Sequence, residues 1–450
     1  MKISTSARRR GSLVALAAAT ALLAACGGGS SGSSTTSSSG GTGSGGKSVK
    51  ISWLVDNADS TVATAKSVVS AFQAANAGIT VDVQTRPQGS DGDNVVKTRL
   101  STSDMTDVFS YNNGSLFQAL KPEKNIVPVS DQPWAKDLNK IFTDATSVNG
   151  KLYGAPMGTA FGGAVLYNIP VYKKLGLQVP KTWDQFMANN AKLKAAGIAP
   201  VIQTYGDTWT SQLFVLGDFH NVEAKEPDWA TKYTNGQVKY ATDPVALSSF
   251  QHIEQLDKAK YFNKDYRSAK LNDGLKELVA GTGAQYPMLG GFAATIAQLA
   301  PNKVNDIGFF PVPGTDPATF GMTIWSPGAT YIPTSTKGDK LDAAKKFLAF
   351  LASKPGCDAQ TKASTPTGPY MVNSCTLPAN VTQIAKDTQS YLKSGKASPA
   401  LEFKSPIKGP NLEQILIQVG SGIESAQKGA EDYDKDVRKQ AQQLGLSWAS

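Results

Sequence analysis

The sequence predicts an α/β fold divided into two lobes. Its folded part opens with an alternating strand over residues 49–55, an apolar stripe at helical spacing over 62–72, and a second alternating strand over 79–83. Such a β-α-β unit builds a parallel sheet flanked by helices. Roughly 400 residues follow the N-terminal leader, more than one core usually holds, and 40% of the chain is hydrophobic, so we expect two lobes.

The first 46 residues indicate a leader and a tether. A basic start is followed by an apolar run over residues 13–25, then by Cys26 and a stretch of Gly, Ser and Thr. This order predicts a lipoprotein signal peptide over 1–25, lipidation of Cys26, and a flexible tether over 26–46 at the outer face of the cytoplasmic membrane. An ordinary signal peptide and a short membrane helix are the alternatives. The apolar run is shorter than the roughly 20 residues that a stable span needs.

The remaining charge is spread evenly along the chain. The net charge of +9 includes four basic side chains of the leader and falls to +5 without them. No run of five or more like charges occurs, so we expect no nucleic-acid partner. No second apolar segment of about 20 residues follows the leader.

Two cysteines remain after Cys26. Cys357 and Cys375 lie 18 residues apart, and an exported chain folds in an oxidising compartment, so we predict that they form a disulfide. The bond would close a loop that contains residues 364–370. Two free buried thiols are the alternative, because a single sequence fixes no distance between them.

Polar residues follow the predicted strands of the first lobe. A helix is expected near residues 94–100, and a short strand over 107–111 runs into the turn 112–114. In sheets of this class, ligands bind at the carboxyl ends of the parallel strands. Five residues are expected at this edge: Asp56, Asn57, Tyr111, Asn112 and Asn113.

The middle of the chain contains candidate crossings between the lobes. Residues 151–156 lead through a Gly-rich segment, 158–163, into a strand over 164–168, and such a segment suits a hinge. A second crossing is expected over 325–331. Helices are predicted to open at 182–186, to span 341–351, and to run from Leu412 through Ile423 into the charged C-terminal end.

Several short stretches occur in an order that is known from one family. They lie at residues 107–109, 150–156, 167–168, 175–177, 180–186, 290–292 and 343–351, and in this order they cover nearly the whole mature chain. With the lipoprotein leader, this series resembles the extracellular solute-binding lipoproteins of ABC importers. The resemblance is to the carbohydrate-binding branch, which is similar to maltose-binding protein.

The resemblance implies a two-lobed, periplasmic-binding-protein-like fold of type II. Each lobe would hold a mainly parallel sheet flanked by helices, with the ligand cleft between the lobes. We expect lobe 1 to comprise residues 47–156 and 325–380, and lobe 2 residues 157–324 and 381–450. The lobes would close on the ligand like a hinge. The partners would be a sugar and the membrane subunits of an ABC permease, with a monomeric chain and no cofactor.

A sugar ring has apolar faces and a rim of hydroxyls, so its site needs aromatic platforms beside short polar side chains. The resemblance puts Tyr111, Phe161 and Phe292 at ligand-contacting positions. Trp209 and Trp325 are added because they lie in predicted loops. For the hydroxyls we choose Asp56, Asn57, Asn112, Asn113 and Asp207. Each aromatic could instead pack in the core, and each polar residue could form a turn or a helix cap. Phe292 stands where the family often has Trp, which leaves the sugar class open.

The sequence therefore predicts a protein that captures a mono- or oligosaccharide without transforming it. The chain has two histidines, His220 and His252, far apart, and no Gly-x-Ser-x-Gly turn, so neither a His-based metal cluster nor a Ser-His-Asp set is expected. One alternative keeps the fold and changes the ligand to a polyol or another polar nutrient. A secreted glycosidase is the other, because its paired carboxylates leave no spacing signature.

Overall fold

The protein forms an α/β structure with two main sheets. The computed structural model describes residues 48–446 and Trp448. The predicted signal peptide, Cys26 and the tether lie outside the described residues. Over the described part of the chain, no helix has both the length and the apolar character needed to cross a bilayer.

The described residues include thirteen strands. In chain order they are β1 (Val49–Asp56), β2 (Ile79–Arg86), β3 (Val108–Tyr111), β4 (Ser147–Val148), β5 (Lys151–Leu152), β6 (Gly154–Pro156), β7 (Phe161–Asn168), β8 (Ala199–Val201), β9 (Gly283–Leu289), β10 (Ile307–Phe310), β11 (Met322–Trp325), β12 (Ala329–Tyr331) and β13 (Ala397–Pro399).

The described part also contains nineteen α-helices. They are α1 (Asp59–Ala75), α2 (Gly89–Ser101), α3 (Ser115–Ala119), α4 (Pro122–Asn125), α5 (Lys140–Ala145), α6 (Ile169–Lys174), α7 (Trp183–Ala195), α8 (Leu213–Gly217), α9 (Phe219–Lys225), α10 (Trp229–Thr234), α11 (Pro244–Lys258), α12 (Leu271–Ala280), α13 (Ala293–Leu299), α14 (Gly338–Leu351), α15 (Lys354–Ala363), α16 (Gln383–Lys393), α17 (Leu401–Lys404), α18 (Leu412–Gly420) and α19 (Ala426–Gln443). Short 3₁₀ turns include Thr208–Gln212 and Gly290–Phe292.

The predicted N-terminal β-α-β unit is present. Four apolar residues at helical spacing, Ala65, Val68, Val69 and Phe72, form the buried stripe of α1, because this spacing places them on one face. Gly78, with φ of +92°, leads the chain out of the helix and into β2. β1 and β2 then pair in parallel along their whole length, from Val49 opposite Ile79 to Asp56 opposite Arg86.

Each sheet has one strand that runs against the others. The first sheet has the order β2-β1-β3-β12-β6, and the second β13-β11-β7-β9-β8 with β10 beside β7. In the first sheet only β12 is reversed, and in the second only β7. Both strands begin directly after the chain has crossed from the other sheet. Both main sheets are therefore mixed. The predicted parallel arrangement holds for every strand of these two sheets except β12 in the first and β7 in the second.

The buried apolar side chains form two large clusters. One extends from the first sheet to one face of the second sheet, and the other covers the opposite face of the second sheet. Ala164 and Leu166 belong to the first cluster and Val165 to the second, as expected for alternating side chains of one strand. Trp53 in β1 and Trp183 at the start of α7 are both buried.

Three details differ from the sequence prediction. Gly162 and Gly163 lie inside β7 and not in a hinge, and they leave room for the rings of Phe309 and Trp325. Trp325 ends β11 and so lies in a strand, not in a loop. The predicted helix through Ile423 is two helices, α18 and α19. Gly422 adopts φ of +71° between them, which an ordinary helical residue would not tolerate, and Ile423 is 72% exposed.

Candidate ligand-binding site

A cavity of about 310 Å³ lies at the carboxyl ends of β1, β2 and β3. This is the edge at which parallel strands of an open α/β sheet bind ligands. The cavity is lined by strand ends, by the first turns of α1, and by residues that connect the two sheets: Val55, Asp56, Ser60, Thr61, Thr64, Arg86, Ser110, Tyr111, Asn112, Met157, Gly158, Gly328 and Ser364. Three of the predicted site residues, Asp56, Tyr111 and Asn112, therefore meet in one cavity.

A smaller cavity of about 120 Å³ continues the first one. The two share Thr64, Gly158 and Ser364. The loop over residues 364–367 forms much of its wall. The structure joins Cys357 to Cys375 by a disulfide, with the two Cα atoms 6.2 Å apart, so this loop lies inside the covalently closed segment.

Two side-chain amides fix the crossings between the sheets. The first crossing, residues 157–160, joins β6 to β7, and the backbone N–H of Gly158 donates to Gln360 Oε1 at 2.7 Å. The second crossing, residues 326–328, joins β11 to β12. There Asn113 Nδ2 donates to Ser326 Oγ at 3.0 Å and to the Pro327 carbonyl at 2.7 Å. Asn113 is buried, so its amide supports the crossing and does not line the cavity.

Four of the five predicted aromatic platforms form a row at the end of the second sheet, and none of these four is among the residues that line the two cavities. Phe161 begins β7, Trp325 ends β11 beside it, and their rings are nearly parallel with centroids 6.4 Å apart. Trp209 stacks on Phe292 with centroids 5.8 Å apart. The two pairs are neighbours, because Gly291, which precedes Phe292, lies beside Phe161. A Cβ atom at position 291 would be 3.7 Å from Phe161 Cγ. We call these four residues the aromatic row.

The four residues of the aromatic row differ in how much of each residue is exposed to solvent. Trp325 is 9% exposed, its Nε1 donates to Glu402 Oε1 at 2.6 Å, and it packs with Ala400 and Phe403. Phe161, Trp209 and Phe292 are only partly buried and keep solvent-facing surface. Trp325, by contrast, mainly joins β11 to the segment around α17. A platform role for Trp325 stays a prediction.

Two of the predicted polar site residues, Asp56 and Asp207, already accept hydrogen bonds at the starts of helices. Asp56 Oδ1 accepts from the Ala58 N–H at 2.9 Å and Oδ2 from the Thr61 hydroxyl at 3.2 Å, which fixes the start of α1. Asp207 Oδ2 accepts from the Leu271 N–H at 2.7 Å, at the start of α12. Asn57 is exposed and is not among the cavity residues. Only Asp56 of this group combines a capping contact with a place in the cavity wall.

Arg86 is a cavity residue that the sequence analysis missed. It ends β2, is 8% exposed, and its guanidinium carbon lies 5.5 Å from the centre of the Tyr111 ring. Burial, followed by the nearby charge of Asp93, raises the pKa of Tyr111, so its phenol stays protonated at neutral pH. Asp56 and Tyr111 were assigned to the site because ligands bind at the carboxyl ends of parallel strands. The same rule applies to Arg86, the last residue of β2, and could have identified it.

Known proteins share both the sequence pattern and the fold. The chain matches the family model of the bacterial extracellular solute-binding proteins over residues 57–356, which is 300 of its 450 residues. It is 24% identical over 299 residues to the "Multiple sugar-binding protein" of Streptococcus mutans, which covers 65% of this chain and 68% of that protein.

Solved structures extend the comparison. A chitin oligosaccharide binding protein is 20% identical with a TM-score of 0.71, covering 88% of this chain and 100% of that one. The solute-binding protein RafE in complex with raffinose is 19% identical with a TM-score of 0.71, covering 87% and 100%. These similarities confirm the predicted two-lobed α/β fold.

Proposed function

The chain belongs to the family of bacterial extracellular solute-binding proteins, as its ordered motifs predicted, and from this premise we propose that it captures a sugar for an ABC importer. The cleft would bind a mono- or oligosaccharide, and the closed form would deliver it to the membrane subunits of a permease. A ligand favours closure only as far as it binds the closed state more tightly, so both lobes must contact it.

One observation carries the choice of a sugar. The cavity wall is rich in small polar groups, including Ser60, Thr61 and Asn112. The second sheet ends in the aromatic row, whose four members are not among the residues that line this cavity. Hydroxyls and amides both donate and accept, as a sugar's hydroxyls require, and partly exposed rings suit its apolar faces. The cavity and the aromatic row thus offer the two kinds of surface that a sugar presents.

The named ligands of similar proteins support this reading. One relative is called a multiple sugar-binding protein, and structural neighbours are described with raffinose, with stachyose and with chitin oligosaccharides. Their identity to this chain is too low to transfer any one of these sugars. We therefore propose only the class of ligand, which is a neutral or substituted sugar of one or more units.

The N-terminal segment would hold the protein at the membrane. We propose that residues 1–25 are removed, that Cys26 is lipidated, and that residues 26–46 form a tether at the extracellular face. The protein would act as a monomer without a cofactor. The lobe boundaries proposed are 47–156 with 325–380 for lobe 1, and 157–324 with 381–450 for lobe 2.

A sugar panel tests the proposal against its alternatives. The purified full chain is titrated with mono- and oligosaccharides and with polyols, while tryptophan fluorescence and melting temperature are recorded. We expect saturable stabilisation by a sugar that is recovered unchanged. Cleavage of the sugar would instead indicate a glycosidase, and stabilisation by polyols alone would indicate the non-sugar ligand.

Asn112 and Asn113 are expected to respond differently to the same substitution. Asn113→Ala should lower the free energy of unfolding by about 1–2 kcal/mol, because the Pro327 carbonyl and the Ser326 hydroxyl lose a buried donor. Asn112→Ala should leave stability unchanged and weaken sugar binding, because this exposed side chain lines the cavity. Denaturant unfolding and calorimetric titration of both variants measure this, and a reversed pattern would contradict the assigned roles.

A further inference from the structure

Arg86 is a buried cation without a counter-ion among the described residues. Its Nη1 donates to the Pro87 carbonyl at 3.0 Å, and its buried Nε has no partner. Over residues 48–446, no carboxylate lies within the 4 Å of Arg86 that an ion pair requires. A charged group in this state is costly unless something else satisfies it. Arg86 lines the cavity, and its Nη2 atom neither makes a hydrogen bond among the described residues nor is enclosed, so a bound ligand can pair with the guanidinium there.

Tyr111 and Asp56 complete the polar part of the same wall. The Tyr111 hydroxyl is enclosed by the protein, with the Asp93 carboxylate close enough to raise its pKa, and the Tyr111 ring lies beside the Arg86 guanidinium. The cavity also has an acceptor, the Asp56 carboxylate. Its contacts with Ala58 and Thr61 use two of its roughly four lone-pair directions, so it can accept further hydrogen bonds. The Arg86 guanidinium and the Asp56 carboxylate therefore line one small space.

We propose that Arg86 is the principal ligand donor of this cavity, and that it binds a neutral sugar unit through two adjacent free hydroxyls. The inference rests on the proposed function and deepens it by naming the class of the unit. Each hydroxyl of a neighbouring pair accepts from the guanidinium fork and can donate to Asp56, so one neutral unit satisfies the cation and the carboxylate together. The cavity volume, at the low end of that of small-molecule sites, fits a single unit.

An acidic sugar fits this wall less well. Its carboxylate would accept from Arg86 but would also approach Asp56 and Asp93, whose charge already acts on Tyr111. Like charges at such a distance disfavour binding. A uronate should therefore bind more weakly than the neutral sugar of the same configuration.

The experiment compares two arginines in the full chain. Raffinose, glucose and galactose are titrated by calorimetry, with glucuronate and galacturonate as the acidic counterparts. Arg86→Gln should weaken binding of the neutral sugar about tenfold, as expected for loss of a charged donor, with an unchanged or higher melting temperature of the free protein. Arg99→Gln is the control, because Arg99 lies on α2, donates to Gln84 Oε1 at 3.3 Å, and is not a cavity residue.

The outcomes separate this inference from the proposed function. Affinity of Arg86→Gln within about twofold of wild type, or a uronate that binds as tightly as its neutral counterpart, overturns the inference and leaves sugar capture intact. If Arg86→Gln does not fold, Arg86→Lys decides the question, because it keeps the charge, loses the planar fork, and should still bind several-fold more weakly. If wild type binds none of the sugars, the proposed function fails and the inference with it.

Discussion

Replacing Cys375 by Ser should lower the free energy of unfolding by roughly 3 kcal/mol, the chain-entropy value for a closed loop of this length. The disulfide restrains the unfolded chain and so raises the free energy of the unfolded state. It also bounds the loop that lines the smaller cavity, so sugar affinity should fall together with stability. Denaturant unfolding and calorimetric titration of Cys375→Ser measure both effects.

The wild-type chain under reducing conditions is the matched control for this variant. Reductant should bring wild type down to the stability of Cys375→Ser and should leave the variant unchanged. If wild type unfolds at the same denaturant concentration with and without reductant, the bond contributes nothing to stability. The predicted role of the bond would then be wrong.

Replacing Trp209 by Ala should weaken sugar binding about thirtyfold, because a platform that covers one face of a sugar contributes about 2 kcal/mol at the usual energy per buried apolar area. Trp209 keeps exposed surface while stacking on Phe292, so its ring can face a ligand without leaving its neighbour. Trp209→Phe retains a flat ring and should keep most of the affinity. Titration of both variants with the sugar identified by the panel gives these values.

Trp134→Ala provides the control for loss of a tryptophan. Trp134 is also partly buried, lies in a short 3₁₀ turn of the first lobe, and does not belong to the aromatic row. Its removal should leave sugar affinity unchanged. Unchanged affinity in Trp209→Ala, accompanied by a lower melting temperature, would show that Trp209 is a core residue.

Local pattern was sufficient to predict the elements and the edge at which the cavity lies. The spacing of Val68, Val69 and Phe72 is a property of neighbouring residues, so α1 could be located without knowledge of its partners. The strand-end rule brought Asp56, Tyr111 and Asn112 to the cavity for the same reason. Arg86 was missed because an arginine at the end of an alternating strand resembles a solvated surface residue. Its contact with the Tyr111 ring, 25 residues further along the chain, is not visible in the local sequence.

Roles that depend on contacts distant in sequence could not be predicted. Asn113 looked like a turn residue with a free amide, but its partners Ser326 and Pro327 lie more than 200 residues away. The indole N–H of Trp325 is likewise engaged by Glu402, 77 residues further along the chain. A single sequence does not specify such pairs, because nothing local distinguishes a residue that holds a crossing from one that faces a ligand.

A crystal structure of the full chain with the sugar identified by the panel tests the central claim most directly. The account predicts an intact sugar between the two lobes, with a polar edge against Arg86 and Asp56 and an apolar face against Phe161, Phe292 or Trp209. Contact by one lobe alone, a sugar bound elsewhere on the surface, or a cleaved product in the cleft would contradict it.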